Sequence, residues 1–240
     1  MKSKNSKTMS LPGKLPVHHL LPFVITAAAF LILFLPKQPT LQNVMLKCLP
    51  VLYLMCYLAY TEKGRGESKI VIPALAFSLI GDGLLNFPGT LFVEGLIAFS
   101  FAQVLYTATF GFKRINVWTG ITLYGASGAL LLFIIPNVNA TLKIAVPVYA
   151  LLIFTMLWRA LDRYSYAEDI CYERRLCSVL GAVVFIISDA CIAFLQLMNL
   201  MPKYPAQIII LSTYFLAQLL LTLGAAKKFW DAKYRIKEKK

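Results

Sequence analysis

The chain contains 240 residues, of which 59% are apolar and only 15% are charged, well below the roughly 25% of soluble domains. Its mean hydropathy is +0.69, and 24 basic against 11 acidic residues give a formal net charge of +13. This composition excludes a soluble globular domain, a disordered chain and a disulfide-stapled secreted module, and it indicates a helical membrane protein. The positive charge is therefore to be read against the bilayer rather than against nucleic acid.

Eight apolar stretches follow one another along the chain, separated by short segments rich in Pro, Gly, Asn or charge. Each is long enough to cross a bilayer as a helix, which takes about 20 apolar residues, and none alternates as a barrel strand does. The first lacks a small-residue cleavage site, which favours a retained helix over a signal peptide. The sequence therefore predicts an all-α polytopic membrane protein with eight transmembrane helices. Their approximate ranges are 19–35, 42–60, 70–87, 91–112, 116–135, 142–158, 176–197 and 206–226.

The basic residues lie mainly on one side of this arrangement. Cytosolic loops of membrane proteins carry the excess of Lys and Arg, so both termini are predicted to be cytosolic. We expect a basic N-terminal tail over 1–17, one transmembrane domain over 18–226 and a basic C-terminal tail over 227–240. With this orientation the basic residues on the opposite side are Lys37, Lys47, Lys143 and Lys203.

An internal repeat relates the two halves of the chain. The third and seventh stretches each carry an aspartate between small residues, Asp82 and Asp189, and the fourth and eighth share an Ala-Gln pair that ends at Gln103 and Gln218. The third and seventh stretches run in the same direction, which indicates two parallel four-helix repeats about an axis along the membrane normal. Such an axis would bring the two aspartates together in a shared, water-bearing chamber.

Asp82 and Asp189 are predicted to lie inside the hydrocarbon region. Each is about 18–20 Å along its helix from the cytosolic end, at 1.5 Å per residue. An aspartate at the bilayer centre costs about 2.5–3.5 kcal/mol, and such residues usually face a cavity and carry function. The alternative is that each carboxyl merely links helices by a hydrogen bond. A matched pair favours chemistry, so both are predicted to be catalytic.

Polar side chains on neighbouring stretches suggest a hydrated pocket around the aspartates. Lys47 lies at a depth similar to that of Asp82, where it would either bind a phosphate or carboxylate group or extend its ammonium to the interface. No His, Cys and carboxylate residues cluster at ligand spacing, so neither a metal nor a cofactor is expected. The predicted substrate-binding residues are Lys47, Asn86, Gln103, Tyr106, Tyr214 and Gln218.

Short blocks around these residues resemble the lysoplasmalogenase (YhhN-like) integral membrane family. The blocks are FSLIGDG, ISD, STYFLAQ, KCLP and WR, and their order and spacing match from about residue 41 to residue 226. Two positions depart from the family pattern. Gln103 stands where animal members are expected to have a histidine, and Phe215 stands where a second tyrosine is usual, so a proton transfer by that histidine would be lost here.

The resemblance implies a hydrolase in the endoplasmic reticulum membrane. Its partners would be a lysophospholipid substrate and the surrounding membrane lipid. It would cleave the sn-1 vinyl ether bond of a 1-alkenyl-glycerophosphoethanolamine or -choline, releasing a fatty aldehyde and the glycerophospho base. Such a bond hydrolyses when its β-carbon is protonated and water captures the resulting oxocarbenium ion. Two carboxyl groups, one protonated and one ionised, supply that chemistry without a metal, as in glycosidases.

The residues leave two alternatives open: a transporter or channel, and a lipid-binding scaffold in which the aspartates are structural. Paired intramembrane acids in parallel repeats also suit a proton- or cation-coupled pathway. Neither aspartate-bearing stretch shows strong Pro or Gly breaks around its acid, which favours the enzyme.

Overall fold

A computed structural model describes residues 16–34, 40–87, 91–198 and 200–231 of the chain, and every regular element in these ranges is a helix. The parts of the predicted tails at 1–15 and 232–240 lie outside the described residues. Short 3-10 and π turns, Pro16–Leu20 and Phe30–Phe34, flank the first helix, and a π turn, Ile192–Leu197, continues the seventh. The helices are α1 (Leu21–Ala29), α2 (Leu41–Glu62), α3 (Ser68–Leu84), α4 (Phe92–Phe110), α5 (Val117–Ile134), α6 (Ala140–Tyr166), α7 (Tyr172–Cys191) and α8 (Lys203–Ala225).

All eight predicted stretches lie on helices, which confirms the all-α prediction. Within the described residues six helices, α2 and α4 to α8, are long and apolar enough to cross a membrane, so the protein is a multi-pass membrane protein. The first helix and α3 are too short to be counted among these six. The segment 159–175, predicted as the connection between the sixth and seventh stretches, is helical as far as Tyr166 and again from Tyr172. In this segment Arg159 pairs with Asp162 and donates to the Arg114 carbonyl, and Arg163 donates to the Thr109 carbonyl near the end of α4.

Polar side chains begin several of the helices. The hydroxyl of Thr40 accepts from the Asn43 amide at 3.3 Å, and the side chain of Asn139 accepts from the Leu142 amide at 3.0 Å. Asn116 likewise accepts from the amides of the first turn of α5. These side chains satisfy amide groups that a helix leaves without a partner, and so they fix where α2, α5 and α6 start.

The same neighbour relations occur in the two halves of the bundle. In the first half α1 packs on α2, α2 on α3, and α3 on α4; in the second half α5 packs on α6, α6 on α7, and α7 on α8. The halves meet where α4 packs on α6 and, in the corresponding place, where α8 packs on α2. Glycines allow close approach in both halves: a Cβ at Gly81 would lie 2.6 Å from the Phe99 ring, and one at Gly181 would lie 2.9 Å from the Leu221 amide nitrogen.

One end of the bundle is held together by buried charges. Arg159 is fully buried and donates to Asp162 at 2.5 Å and to the carbonyls of Gly111 and Arg114. Glu67, at the start of α3, accepts from Arg163 at 2.5 Å and pairs with Arg174 of α7 at 3.0 Å. Because both aspartate-bearing helices begin at this end, their aspartates lie toward the other end.

Candidate active site

Asp82 lies in the last turn of α3 and is only 2% exposed. Its Oδ2 accepts a 2.5 Å hydrogen bond from the hydroxyl of Tyr214 on α8, and its Oδ1 lies 3.3 Å from the ammonium of Lys47 on α2. Lys47 also donates to the carbonyl of Asp82 at 3.2 Å. The carboxylate is therefore enclosed, and a cation balances its charge. Lys47 turns to Asp82 rather than out to the interface.

Asp189 lies in the last turn of α7 and is partly exposed. Its Oδ2 accepts a 2.5 Å hydrogen bond from the hydroxyl of Tyr149 on α6. Within the described residues no lysine or arginine forms an ion pair with it. The two aspartates thus occupy corresponding helices but have different surroundings, because one is matched with a cation and the other is not.

Asp189 forms part of the wall of a cavity of about 70 Å³. Asp189 and Tyr149 are the ionisable groups among its lining residues, and the rest of the wall is aliphatic or aromatic. The cavity has room for a water molecule and several further atoms. The sequence predicts that both carboxyl groups face one shared chamber. Asp82 is not among the lining residues, so only Asp189 opens into this cavity. The apolar lining residues are Leu85, Phe92, Leu96, Phe99, Ile134, Val146, Ile192 and Ala193.

The π turn that follows α7 widens the helix beside this cavity. It begins at Ile192, three residues after Asp189, and its first two residues line the cavity. Single π turns inside helices are rare and occur frequently at functional sites. The local backbone is therefore unusual at the place where the partly exposed carboxyl is found.

A chain of glutamine, tyrosine and aspartate occurs twice in the molecule. In each copy a glutamine amide donates to a tyrosine hydroxyl, and the tyrosine hydroxyl donates to an aspartate. The glutamines stand at corresponding positions of α4 and α8, and the aspartates at corresponding positions of α3 and α7. The two chains are Gln103–Tyr149–Asp189, with a first distance of 3.3 Å, and Gln218–Tyr214–Asp82, with a first distance of 3.1 Å.

The two chains differ at the carbonyl oxygen of the glutamine. Tyr106 donates to Gln218 Oε1 at 2.7 Å, whereas the buried Gln103 Oε1 has no partner in the described part of the chain. The offset that aligns the two glutamines places Leu221 at the position of Tyr106, and leucine has no donor to offer. The duplication is therefore inexact, and the copy with the unpartnered oxygen is the one that reaches the cavity.

The structure places all but one of the residues that the sequence singled out around one or the other aspartate. Lys47, Tyr106, Tyr214 and Gln218 surround Asp82, and Gln103 reaches Asp189 through Tyr149. Asn86 lies in the turn after α3, next to the cavity residue Leu85, and is partly exposed.

The sequence patterns do not single out Tyr149. It lies on α6, which corresponds in the repeat to the α2 of Lys47, and each of these two residues contacts an aspartate on the following helix of its own half. The only signal would have been a polar aromatic residue close after Pro147 in an otherwise apolar stretch. Tyrosine is common in such stretches, so this signal is weak.

Together these features define a multi-pass helical membrane protein with two hydrogen-bonded aspartates, one of them buried and the other partly exposed beside an apolar cavity. The profile of the YhhN family matches residues 42–225. The chain belongs to the YhhN family.

Relatives of known name agree with this assignment. The chain is 30% identical over 209 residues to lysoplasmalogenase TMEM86B of Homo sapiens, covering 87% of this chain and 86% of that protein. It is 30% identical over 214 residues to lysoplasmalogenase TMEM86A of Bos taurus, with coverages of 87% and 88%. It is 31% identical over 209 residues to lysoplasmalogenase TMEM86B of Rattus norvegicus, with coverages of 87% and 84%. No solved structure gives a significant match.

Proposed function

We propose that this protein is a lysoplasmalogenase, an ether hydrolase that cleaves the sn-1 vinyl ether bond of lysoplasmalogens to a fatty aldehyde and a glycerophospho base. The observation that carries the proposal is the carboxyl group of Asp189 at the wall of an otherwise apolar cavity. An alkenyl chain suits such walls, whereas a hydrated ion would find few ligands there. The cavity therefore favours the hydrolase over the alternative of a transporter or channel. The names of the relatives support the same activity.

Asp189 is the proton donor in this proposal. No lysine or arginine of the described residues pairs with it, so the neutral acid is the form that fits the apolar cavity without a counter-ion. Its proton goes to the β-carbon of the vinyl ether, the double bond is consumed, and an oxocarbenium ion forms. Water adds to this cation to give a hemiacetal, which collapses to the aldehyde and the alcohol. Tyr149 holds Oδ2 of Asp189 and so orients the carboxyl group for the transfer.

Asp82 is the second catalytic carboxylate in this proposal. Lys47 balances its charge, so it is the member of the pair suited to remain ionised and to stabilise the oxocarbenium ion, while the Asp189 carboxylate takes up the proton that the attacking water loses. Gln103, Tyr106 and Gln218 hold the tyrosines and carboxyls in place. Asn86 remains a predicted contact to the substrate because its neighbour Leu85 lines the cavity.

We also propose that the chain crosses the membrane eight times as two parallel four-helix repeats. The reciprocal packing of α4 on α6 and of α8 on α2 supports such a repeat, as do the duplicated hydrogen-bond chains. The transmembrane domain would then cover 18–226, between basic cytosolic tails at 1–17 and 227–240, in the endoplasmic reticulum membrane.

The activity is tested with purified protein and a lysoplasmalogen in detergent micelles, by measuring the aldehyde released. Asp189→Asn and Asp82→Asn should each lower turnover by at least about 100-fold, the usual contribution of general acid–base catalysis. Asp169→Asn, in the exposed connection after α6, is the matched control and should keep wild-type turnover.

Turnover of either Asn variant near the wild-type rate would show that the two-carboxylate mechanism is wrong. If the wild-type protein releases no aldehyde but moves protons or cations across liposome membranes, the transporter takes the place of the enzyme. Folded yield, measured by gel filtration, separates lost chemistry from lost structure.

A further inference from the structure

The proposed reaction leaves the phosphate group of the substrate without a partner. Lys47, the cation that the sequence singled out, is 8% exposed and bonded to both the side chain and the carbonyl of Asp82. We propose that Lys143, at the start of α6, binds the phosphate of the lysophospholipid while its vinyl ether lies at Asp189. This inference rests on the proposed function and names the headgroup contact of the same site.

The placement of Lys143 on α6 supports this contact. Lys143 is the fourth residue of the helix and is exposed; Val146 and Tyr149, the residues three and six positions further on, both line the cavity. Lys143 is thus about one turn from Val146 and about 9 Å along the helix from Tyr149. Lys143 thus stands on the side of the cavity where α6 begins, without being part of its wall.

Neither helix stability nor membrane topology accounts for a lysine at this position. A cation in the first turns of a helix opposes the helix dipole, which favours negative charge there. A lysine on the non-cytosolic side also runs against the distribution of basic residues. Among the described residues no carboxylate pairs with Lys143. No ion pair among the described residues therefore offsets the unfavourable position of this positive charge, as expected for a residue that binds a ligand.

The dimensions of a lysoplasmalogen fit these two groups. Only the three carbons of glycerol and one ester oxygen separate the vinyl ether oxygen from the phosphorus, a path about as long as a lysine side chain. With the vinyl ether at Asp189, the phosphate lies one to two turns nearer the start of α6, where Lys143 is found. A lysine ammonium is a compact charge that binds phosphate well. The headgroup would then face the non-cytosolic side.

The test measures binding of a 1-alkyl-lysophospholipid, whose saturated ether cannot be hydrolysed, to the full-length protein in detergent. Lys143→Met should weaken binding about five- to tenfold, and Lys143→Arg should restore most of it. Lys203→Met is the matched control: Lys203 is an exposed lysine at the start of α8, and α8 contributes nothing to the cavity wall. A 1-alkylglycerol without phosphate is the second ligand.

If Lys143 recognises the phosphate, Lys143→Met weakens binding of the phospholipid and leaves binding of the alkylglycerol unchanged. Equal affinity of Lys143→Met and the wild type for the phospholipid would overturn the proposal, as would equal losses for both ligands or an equal loss in Lys203→Met. Because the ligand is not hydrolysed, these outcomes are independent of catalysis. A failure of the proposed function would appear separately, as absence of aldehyde from the wild-type protein.

Discussion

Two tyrosines do the same work in two different surroundings. Tyr214 and Tyr149 each donate a 2.5 Å hydrogen bond to an aspartate and accept one from a glutamine. Asp82 has a lysine in addition, whereas Asp189 has the apolar cavity. The removal of one tyrosine hydroxyl should therefore affect the two carboxyl groups unequally.

We expect Tyr149→Phe to lower kcat about 10- to 100-fold, since a hydrogen bond to a charged or reacting group contributes about 1.5–3 kcal/mol. Asp189 would lose the one hydrogen bond that the described residues give it and would no longer be held toward the substrate. Tyr214→Phe should have a smaller effect, because Lys47 still holds Asp82. The measurement is kcat and KM for both variants with a lysoplasmalogen.

A merely structural role of Tyr149 would give another result. It would lower the folded yield and leave the kcat of the remaining folded protein unchanged. Equal kcat losses in the two phenylalanine variants would also contradict the asymmetry between the aspartates.

Only part of this site could be predicted at the level of single residues. The aspartates and glutamines repeat along the chain, so their correspondence can be read directly. Tyr149 and Lys47 occupy corresponding places but are chemically unlike, and no sequence comparison of the halves would align them by type. The pairing of Lys47 with Asp82 is a tertiary contact between helices, which the spacing within one helix does not encode.

At the scale of the helix, the sequence does not distinguish glycines that permit close packing from glycines that do not. Gly181 lies in α7 against the backbone of α8, where an added Cβ would lie 2.9 Å from the Leu221 nitrogen. Gly125 lies in α5 with nothing within 4 Å of its added Cβ. Both stand in apolar helical segments, so only the packing of α7 on α8 separates them.

Gly181→Ala should lower the free energy of unfolding by about 1–3 kcal/mol, the usual cost of overpacking, because α7 and α8 must move apart. Gly125→Ala is the matched control and should be neutral or should stabilise by up to about 1 kcal/mol, since alanine favours the helix. Both are measured as thermal unfolding midpoints in the same detergent. A midpoint for Gly181→Ala at or above that of Gly125→Ala would contradict the close α7–α8 contact.

At the scale of the whole molecule, the two ends of the bundle have different chemistry. Glu67, Arg159 and Arg174 belong to a charged cluster at one end, and the cavity with Asp189 lies toward the other. The sequence could predict the helices and the charge difference because apolar length and basic residues are local properties. It could not predict which helices meet across the halves, since α4 on α6 and α8 on α2 are determined by side-chain shape.

Eight spans require that α3 crosses the membrane, although it is not among the six helices that are long and apolar enough by themselves. Its 17 residues are about 26 Å long, slightly less than the roughly 30 Å hydrocarbon core, so a crossing needs only modest thinning of the bilayer. If α3 crosses, the connections at Arg65 and Lys113 lie on one side of the membrane, and if it does not, they lie on opposite sides.

In a variant without native cysteines, Arg65→Cys and Lys113→Cys should both react with an impermeant maleimide in sealed microsomes. Asn137→Cys, an exposed site between α5 and α6, is the control that should react only after detergent is added. Protection of Arg65→Cys together with labelling of Lys113→Cys would show that α3 stays on one side, which would remove Asp82 from the membrane interior.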